Sequence, residues 1–432
     1  MGDEDRGKEF GSVELTRRRV LRTAAAGTAV GLGATVLAPT PWRRAFGAAK
    51  PYRFGTEQPL TGVAASGGKT SLVGVQMAVD RINKEGGILG RPVELFIADD
   101  ESKPDTGRRA VEKLVTDDDI DVHIGGYLSN ICLACSPVFA EHKVVNMIGV
   151  CLDTTLTTSK CNIYTFRPYD FAPAQAKAFA PYLVGKIAKR WHIVYEDYAW
   201  GQSTRDAYIA EIKANGGEVA GGTGIPLGTA DMAPFLSRIT GNFDALFLIL
   251  FGQDAITFGN QAYDLGLARK YKWAGDGAAA TSTMLPALGS KIDGFIGIDR
   301  YVPVFDPPLD TPYHHAFFDD AVARLKKIDP SGPLPDRYVQ SNFEGTNALK
   351  LGIEKSGFQG RADTPKLIAA LEGLEMKEGY DFPQGDKLLR KEDHQAFVRE
   401  FIFEVKGGKY HILDSVPKEK TIVPPACKFA ST

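Results

Sequence analysis

Val73-Gly74-Val75-Gln76-Met77-Ala78-Val79-Asp80-Arg81-Ile82-Asn83-Lys84 leads into Gly86-Gly87-Ile88-Leu89-Gly90 and then into Val93-Glu94-Leu95-Phe96-Ile97-Ala98. In the first stretch Val75, Ala78, Val79 and Ile82 recur at helical spacing. The glycines end that helix, as glycine does at a C-cap. The third stretch is a short strand. Upstream, Tyr52-Arg53-Phe54-Gly55-Thr56 reads as another strand. It is followed by the loop Pro59-Leu60-Thr61-Gly62 and the lead-in Ala65-Ser66-Gly67-Gly68, with the helix expected from Val73. The unit is therefore β-α-β.

The same alternation continues. A helix is expected over Asp105 to Thr116, a strand over Val122 to Gly126, a helix over Asn130 to His142 and a strand over Val144 to Val150. It then restarts: helix Phe171 to Lys186, strand Trp191 to Tyr195, helix Gly201 to Asn215, strand Glu218 to Thr223. Further on come helix Met232 to Ile239, strand Ala245 to Leu250, helix Ile256 to Leu265 and strand Lys272-Trp273-Ala274. After a Pro-rich stretch, helices are expected near Tyr313 to Lys327, Tyr338 to Ser356 and Thr364 to Leu371. Paired strands Arg399 to Val405 and Tyr410 to Asp414 close the chain around Gly407-Gly408. Regular alternation argues for α/β architecture with two doubly wound parallel sheets in series. Single cores stop growing near about 250–300 residues, so two lobes are expected.

The first residues read differently. Arg17-Arg18-Arg19 and Arg22 precede an uncharged Ala- and Gly-rich run from Thr23 to Ala38, then Pro39-Thr40-Pro41 and Gly47-Ala48-Ala49. That is the layout of an export signal, and the paired arginines resemble a twin-arginine signal. The apolar run is shorter than the roughly 20 residues of a spanning helix. Residues 1–49 are expected to be removed, which places the mature protein in the periplasm or otherwise outside the cytoplasm.

A hydrophobic content of 44% and a charged content of 24% are ordinary for a globular protein. The net charge of -2 gives no reason to expect nucleic acid or a membrane surface as partner. The cysteines are Cys132, Cys135, Cys151, Cys161 and Cys427. Their odd number leaves a thiol free within a monomer. A local Cys151–Cys161 bridge is compatible with the sequence, which does not settle the pairing. Cys132-x-x-Cys135 has no second pair at zinc spacing and reads as one turn of a helix. Gly-x-Ser-x-Gly, Walker and His-Glu-x-x-His patterns are absent, and no nucleophile–base pair stands out. No metal or cofactor is expected. His314-His315 at a helix start are expected to face solvent.

Ligands of open α/β sheets bind beyond the carboxyl ends of the strands, and four strand ends stand out. Gly126-Tyr127-Leu128-Ser129-Asn130 enters a helix; Ser129 or Asn130 suits an N-cap, and the free amides of that turn suit a carboxylate. Val150-Cys151-Leu152-Asp153 could offer backbone groups, with Asp153 as a turn residue the plainer alternative. Tyr198 and Trp200 are rings beyond a strand end, with Tyr198 equally able to pack on the adjacent helix. Asp276, between two glycines, could meet an ammonium group or simply form a turn.

Together these residues resemble the type I periplasmic solute-binding proteins of ABC importers, the branched-chain amino acid and amide group. The carriers are Pro59 to Gly62, the run from Met77 to Leu95, Asp99-Asp100-Glu101, Phe166-Arg167-Pro168 with Asp170, and Tyr198-Ala199-Trp200-Gly201. The resemblance implies a non-enzymatic receptor whose lobes, residues 50–167 with 301–399 and 168–300 with 400–432, are joined by three hinge crossovers. They would close on a small molecule and present it to a membrane permease. It implies that Ser129 and Asn130 hold the ligand's carboxylate and that Val150, Cys151 and Leu152 flank it. Trp200 and Phe251 would supply rings, and Asp276 would pair with an amino group. Two departures matter: Asn130 replaces a serine of the family pattern, and Leu152 replaces a threonine. They put an aromatic or modified organic acid, or an amide, on equal terms with leucine. The alternatives are a ligand-sensing module of the same fold, which would lack the export segment, and an exported hydrolase using Cys151, which would need a neighbouring base.

Overall fold

In the computed structural model the described residues are 35–36 and 50–429. The expected export segment therefore lies outside them, except that Thr35–Val36 (β1) pair antiparallel with Phe96 and Ile97.

The first sheet runs in the order β1-β3-β2-β4-β5-β6. Its parallel strands are β2 (Tyr52–Gln58), β3 (Val93–Asp99), β4 (Val122–Gly125), β5 (Val145–Ile148) and β6 (Thr165–Phe166). Helices α1 (Ala65–Lys84), α2 (Pro104–Thr116) and α3 (Ser129–Glu141) connect them. The second sheet contains β7 (Arg190–Glu196), β8 (Glu218–Ile225), β9 (Ala245–Ile249), β10 (Lys272–Asp276) and β11 (Ile296–Asp299), ordered β8-β7-β9-β10-β11. Its helices are α4 (Ala172–Tyr182), α5 (Ala199–Ala214), the single turn α6 (Ala233–Leu236), α7 (Gly252–Asp264), and the short α8 (Leu267–Lys270) and α9 (Leu285–Leu288). The two parallel sets share one winding order, so each has a switch point beside its first strand.

After β11 the chain returns to the first sheet as α10 (Pro312–Ile328), α11 (Arg337–Ser356) and α12 (Thr364–Leu371), followed by the small ladder β12 (Glu375–Met376) and β13 (Lys387–Leu388). It then crosses again to add β14 (Glu400–Lys406) antiparallel to β11, and β15 (Lys409–Val416) beyond it. The chain thus passes between the sheets three times. Beyond β15 the tail leaves the second sheet: Arg390 donates to the Val423 carbonyl (2.8 Å), and Cys427 is bonded to Cys161.

The expected alternation is present, with two instructive differences. Helix α1 begins at Ala65, ahead of the expected Val73. Gly67 and Gly68 do not break it; they let it approach its neighbours. A Cβ on Gly68 would lie 2.0 Å from the Pro59 carbonyl oxygen, and one on Gly67 would lie 2.1 Å from the Tyr127 hydroxyl. His314 is not solvent-facing. It is fully buried on α10 with Phe317, Ala321 and Leu325, and its ring nitrogens bond the Leu309 carbonyl (2.7 Å) and the Tyr301 hydroxyl (3.0 Å).

Candidate functional site

The ends of β4, β5, β7, β9 and β10 converge on one cavity, joined by the start of α11. Its first wall comes from the first sheet: Tyr127 and Ser129 after β4, Val150 and Leu152 after β5. Ser129 is the first residue of α3 and is buried. Leu128 in the cap position offers no side-chain acceptor, and the first intrahelical bonds run from Ile131 and Cys132 to the Leu128 carbonyl (2.9 and 3.0 Å). The Ser129 and Asn130 amides, ahead of those bonds, lack helical acceptors and carry the positive end of the helix. Asn130 is one residue further round and does not line the cavity.

The loop after β5 has fewer free backbone groups than expected. The Val150 amide donates to the Gly126 carbonyl (3.1 Å), and the Cys151 and Leu152 carbonyls accept from the Tyr169 hydroxyl (3.3 Å) and the Ala172 amide (3.3 Å). Val150 and Leu152 thus present apolar surface. Asp153 is a turn former, accepting from the Thr155 amide (2.8 Å).

The second wall is aromatic. Tyr198 and Trp200 stand at the start of α5, and Phe251 precedes α7. Ring centroids are 5.7 Å apart for Tyr127 and Phe251, 5.8 Å for Trp200 and Phe251, and 4.9 Å for Tyr127 and Tyr338. These are edge and tilted contacts of the kind aromatic pairs favour. The Trp200 indole N–H is buried without a partner among the described residues. Burial pushes the Tyr127, Tyr198 and Tyr338 hydroxyls up, so they remain protonated donors at neutral pH. Beneath Phe251, the buried Glu196 accepts from the Phe251 amide (2.9 Å) and sets that ring's position.

Asp276 does not reach the wall. Its Oδ1 accepts from Arg337 (2.6 Å) and from the Ala278 amide (2.7 Å), while Oδ2 has no partner among the described residues. Arg337, the first residue of α11, is the charged group that lines the cavity. Its Nε donates to Asp299 (2.8 Å). Burial pushes the Asp299 carboxyl up to about 6, while Arg337 and Arg300 pull it back. Gly277 leaves room for this group: a Cβ there would lie 2.5 Å from the Asp299 carboxylate and 2.8 Å from Arg337.

The cavity volume is about 30 Å³. That is room for one or two waters. A small organic ligand enters only if the walls part. Among the described residues no group of His, Cys, Asp and Glu is placed to hold a metal ion.

Residues 51–409 match the model of a family described as periplasmic binding protein. The chain belongs to the periplasmic binding protein family. Among its relatives is the Leu/Ile/Val-binding protein BraC3 of Rhizobium johnstonii, 27% identical over 332 residues, 76% of this chain and 84% of that protein. A periplasmic binding protein from Burkholderia mallei shares the fold with a TM-score of 0.78 at 21% identity, covering 88% of this chain and 99% of that one. An ABC-transporter solute-binding protein from R. palustris, in complex with benzoate, superposes with a TM-score of 0.77 at 21% identity, with the same coverage. The binding protein is of the type I group to which the Leu/Ile/Val-binding proteins belong.

Its cysteines pair in ways the sequence left open. Cys132 bonds Cys151, and Cys161 bonds Cys427 across 266 residues, so no local Cys151–Cys161 bridge forms. Cys151 accordingly has no thiol for nucleophilic chemistry. Cys135 is the free cysteine among the described residues; it is buried, and burial pushes its thiol well up. Tyr127, Ala278, Arg337 and Tyr338 line the cavity of this binding protein without having been singled out. Tyr127 lies within the strand-end segment Gly126 to Asn130, and Ala278 follows Asp276 by two residues. Arg337 and Tyr338 carry no local signal, because they reach the site only through the return of α11. No helix among the described residues is long and apolar enough to cross a membrane.

Proposed function

We propose that this chain is the extracytoplasmic solute-binding component of an ABC importer, and that it captures a small organic acid with an aromatic body. The observation that carries the ligand class is the cavity lining. Five rings, Tyr127, Tyr198, Trp200, Phe251 and Tyr338, surround two groups suited to a carboxylate, the Ser129 end of α3 and Arg337. A mostly apolar lining with few placed polar groups is how small-molecule sites gain both affinity and orientation. The R. palustris relative bound to benzoate agrees with it.

In this reading the twin-arginine-like segment at residues 1–49 directs export. The lobes, 50–167 with 301–399 and 168–300 with the strands of 400–416, part to admit the ligand and close by hinge motion, the tail with Cys427 staying on the first lobe through Cys161. The closed form is what the membrane permease recognises, and no chemistry is performed on the ligand. Asn130, Cys151 and Asp276 support the wall rather than touch the ligand.

A second reading has one observation in its favour. The buried, unpartnered Asp276 Oδ2 would suit the ammonium of an amino acid such as leucine. Thermal unfolding of the mature protein with benzoate, 4-hydroxybenzoate and leucine separates the two. A ligand at 100 times its dissociation constant adds about 2.7 kcal/mol of stability. Stabilisation by the benzoates and not by leucine is expected; the reverse pattern selects the amino-acid reading, and no shift with any small solute sinks the receptor assignment.

A further inference from the structure

The charged part of the site is unevenly balanced. Arg337 on the cavity wall is held between Asp276 and Asp299, at 2.6 and 2.8 Å, so one cation faces two carboxylates. All three side chains are shielded from water. A ligand carboxylate approaching Arg337 would be the third anion around one guanidinium, with little solvent to screen the repulsion.

We infer that a carboxylate ligand enters this site together with one proton from solvent, and that Asp299 is the residue that holds it. The inference rests on the carboxylate reading given above. Once Asp299 is neutral, Arg337 keeps Asp276 as its partner, and its remaining charge is available to the ligand.

The surroundings leave Asp299 as the place for that proton. From β10, Asp276 has its Oδ1 engaged by Arg337 and the Ala278 amide, and its Oδ2 has no partner among the described residues; uptake that survives Asp299→Asn would place the proton there. On its own strand end, Arg300 is committed to Asp170 (3.0 Å) and to the Ser341 hydroxyl (3.0 Å). From the start of α11, burial pushes Asp336 up to about 6 as well, but it caps its helix, accepting from the Tyr338 and Val339 amides (2.9 and 3.1 Å), while the ion pairs of Arg337 are with Asp276 and Asp299. From β14, burial and the neighbouring Asp170 push the Glu400 carboxyl well up. From β15, the Tyr410 hydroxyl donates to the Ala280 carbonyl (2.7 Å) and stays neutral. Asp299 itself accepts from Arg337 and from the Tyr301 amide (3.3 Å), and burial still pushes its carboxyl up to about 6.

The sign follows from linkage. An anion beside Arg337 raises the Asp299 carboxyl further. Below its free value Asp299 is already protonated, and binding takes up nothing. Between the free and the bound values binding takes up a proton, and affinity falls by up to about tenfold per pH unit as pH rises. The benzoate carboxyl, like an ordinary side-chain carboxyl near about 4, is ionised throughout this window. A zwitterionic amino acid brings its own cation and needs no proton.

Titration calorimetry of the full mature chain with benzoate, between pH 5.5 and 8 in buffers of different ionisation heat, tests this. At pH 7 more than about half a proton should be taken up per benzoate, with affinity falling several-fold from pH 6 to pH 7.5. Asp299→Asn should abolish the uptake and flatten the profile. Benzoate binding to the wild type without proton uptake overturns the inference while leaving the carboxylate reading intact, and needs no variant to fold. Uptake that persists unchanged in Asp299→Asn overturns the assignment to Asp299. No benzoate binding at any of these pH values removes the carboxylate reading itself, and the inference with it.

Discussion

The two walls of the cavity are built by the same winding order and differ in almost everything else. On the first, the strand ends of β4 and β5 are tied down. The Val150 amide is spent on Gly126, Cys132 is bonded to Cys151, and what faces the cavity is the start of α3 with one ring, Tyr127, and two aliphatic side chains. On the second, the strand ends of β7 and β9 present large rings, and the end of β10 holds Asp276, ion-paired to Arg337 of α11, which packs on the first sheet. A doubly wound sheet supplies only a place, at the carboxyl ends of its strands. The side chains decide that one wall offers a helix end and aliphatic shape while the other offers most of the rings and the carboxylates that hold Arg337.

This contrast predicts unequal sensitivity to substitution, and the largest effect belongs to the charge group. Arg337→Met leaves Asp276 and Asp299 buried without their cation. Breaking a buried pair in this way costs about 3–5 kcal/mol. The denaturation midpoint in urea should drop accordingly. Asp299→Asn in the same background should restore part of the loss, because one uncompensated charge is then gone. If Arg337→Met unfolds like the wild type, the charge group does not hold α11 to the second sheet.

The aromatic part of that wall comes next. Trp200→Ala removes a ring in contact with Phe251, and with it an indole N–H that has no partner among the described residues. Central aromatic anchors contribute about 2 kcal/mol or more on truncation. Benzoate affinity measured by calorimetry should fall about 30-fold, with a smaller change in stability than for Arg337→Met. A loss below threefold would shift the binding energy to the first wall.

What could be read from the chain follows the same division. The β-α-β units were legible because Val75, Ala78, Val79 and Ile82 repeat at helical spacing and short apolar runs follow. Strand-end residues were legible because each follows directly on a recognisable strand. Contacts that depend on a distant segment were not. Asp276 reads as a free acid beside a turn, yet its partner Arg337 lies 61 residues on, across a crossover. Gly67-Gly68 read as a lead-in loop because the reason for glycine, the approach of Tyr127 and Pro59, lies in other elements. Cysteine pairing over 266 residues leaves no local trace.

The smallest effects separate two adjacent residues on the first wall. Ser129 and Asn130 carry equal weight in the family pattern, but only Ser129 lines the cavity. Ser129→Ala removes a hydroxyl from a site argued to hold a carboxylate. Hydrogen bonds to charged groups contribute about 1.5–3 kcal/mol, so benzoate affinity should fall about tenfold or more. Asn130→Ala keeps the backbone amide at the start of α3 and removes a side-chain oxygen that is buried without a partner among the described residues. Losing an unsatisfied acceptor costs little and can stabilise. Affinity should stay within about twofold of wild type and the unfolding midpoint should hold or rise. Equal losses for the two variants would mean that the ligand lies further along α3 than the cavity places it, and that the first wall recognises it through side chains rather than through the helix end.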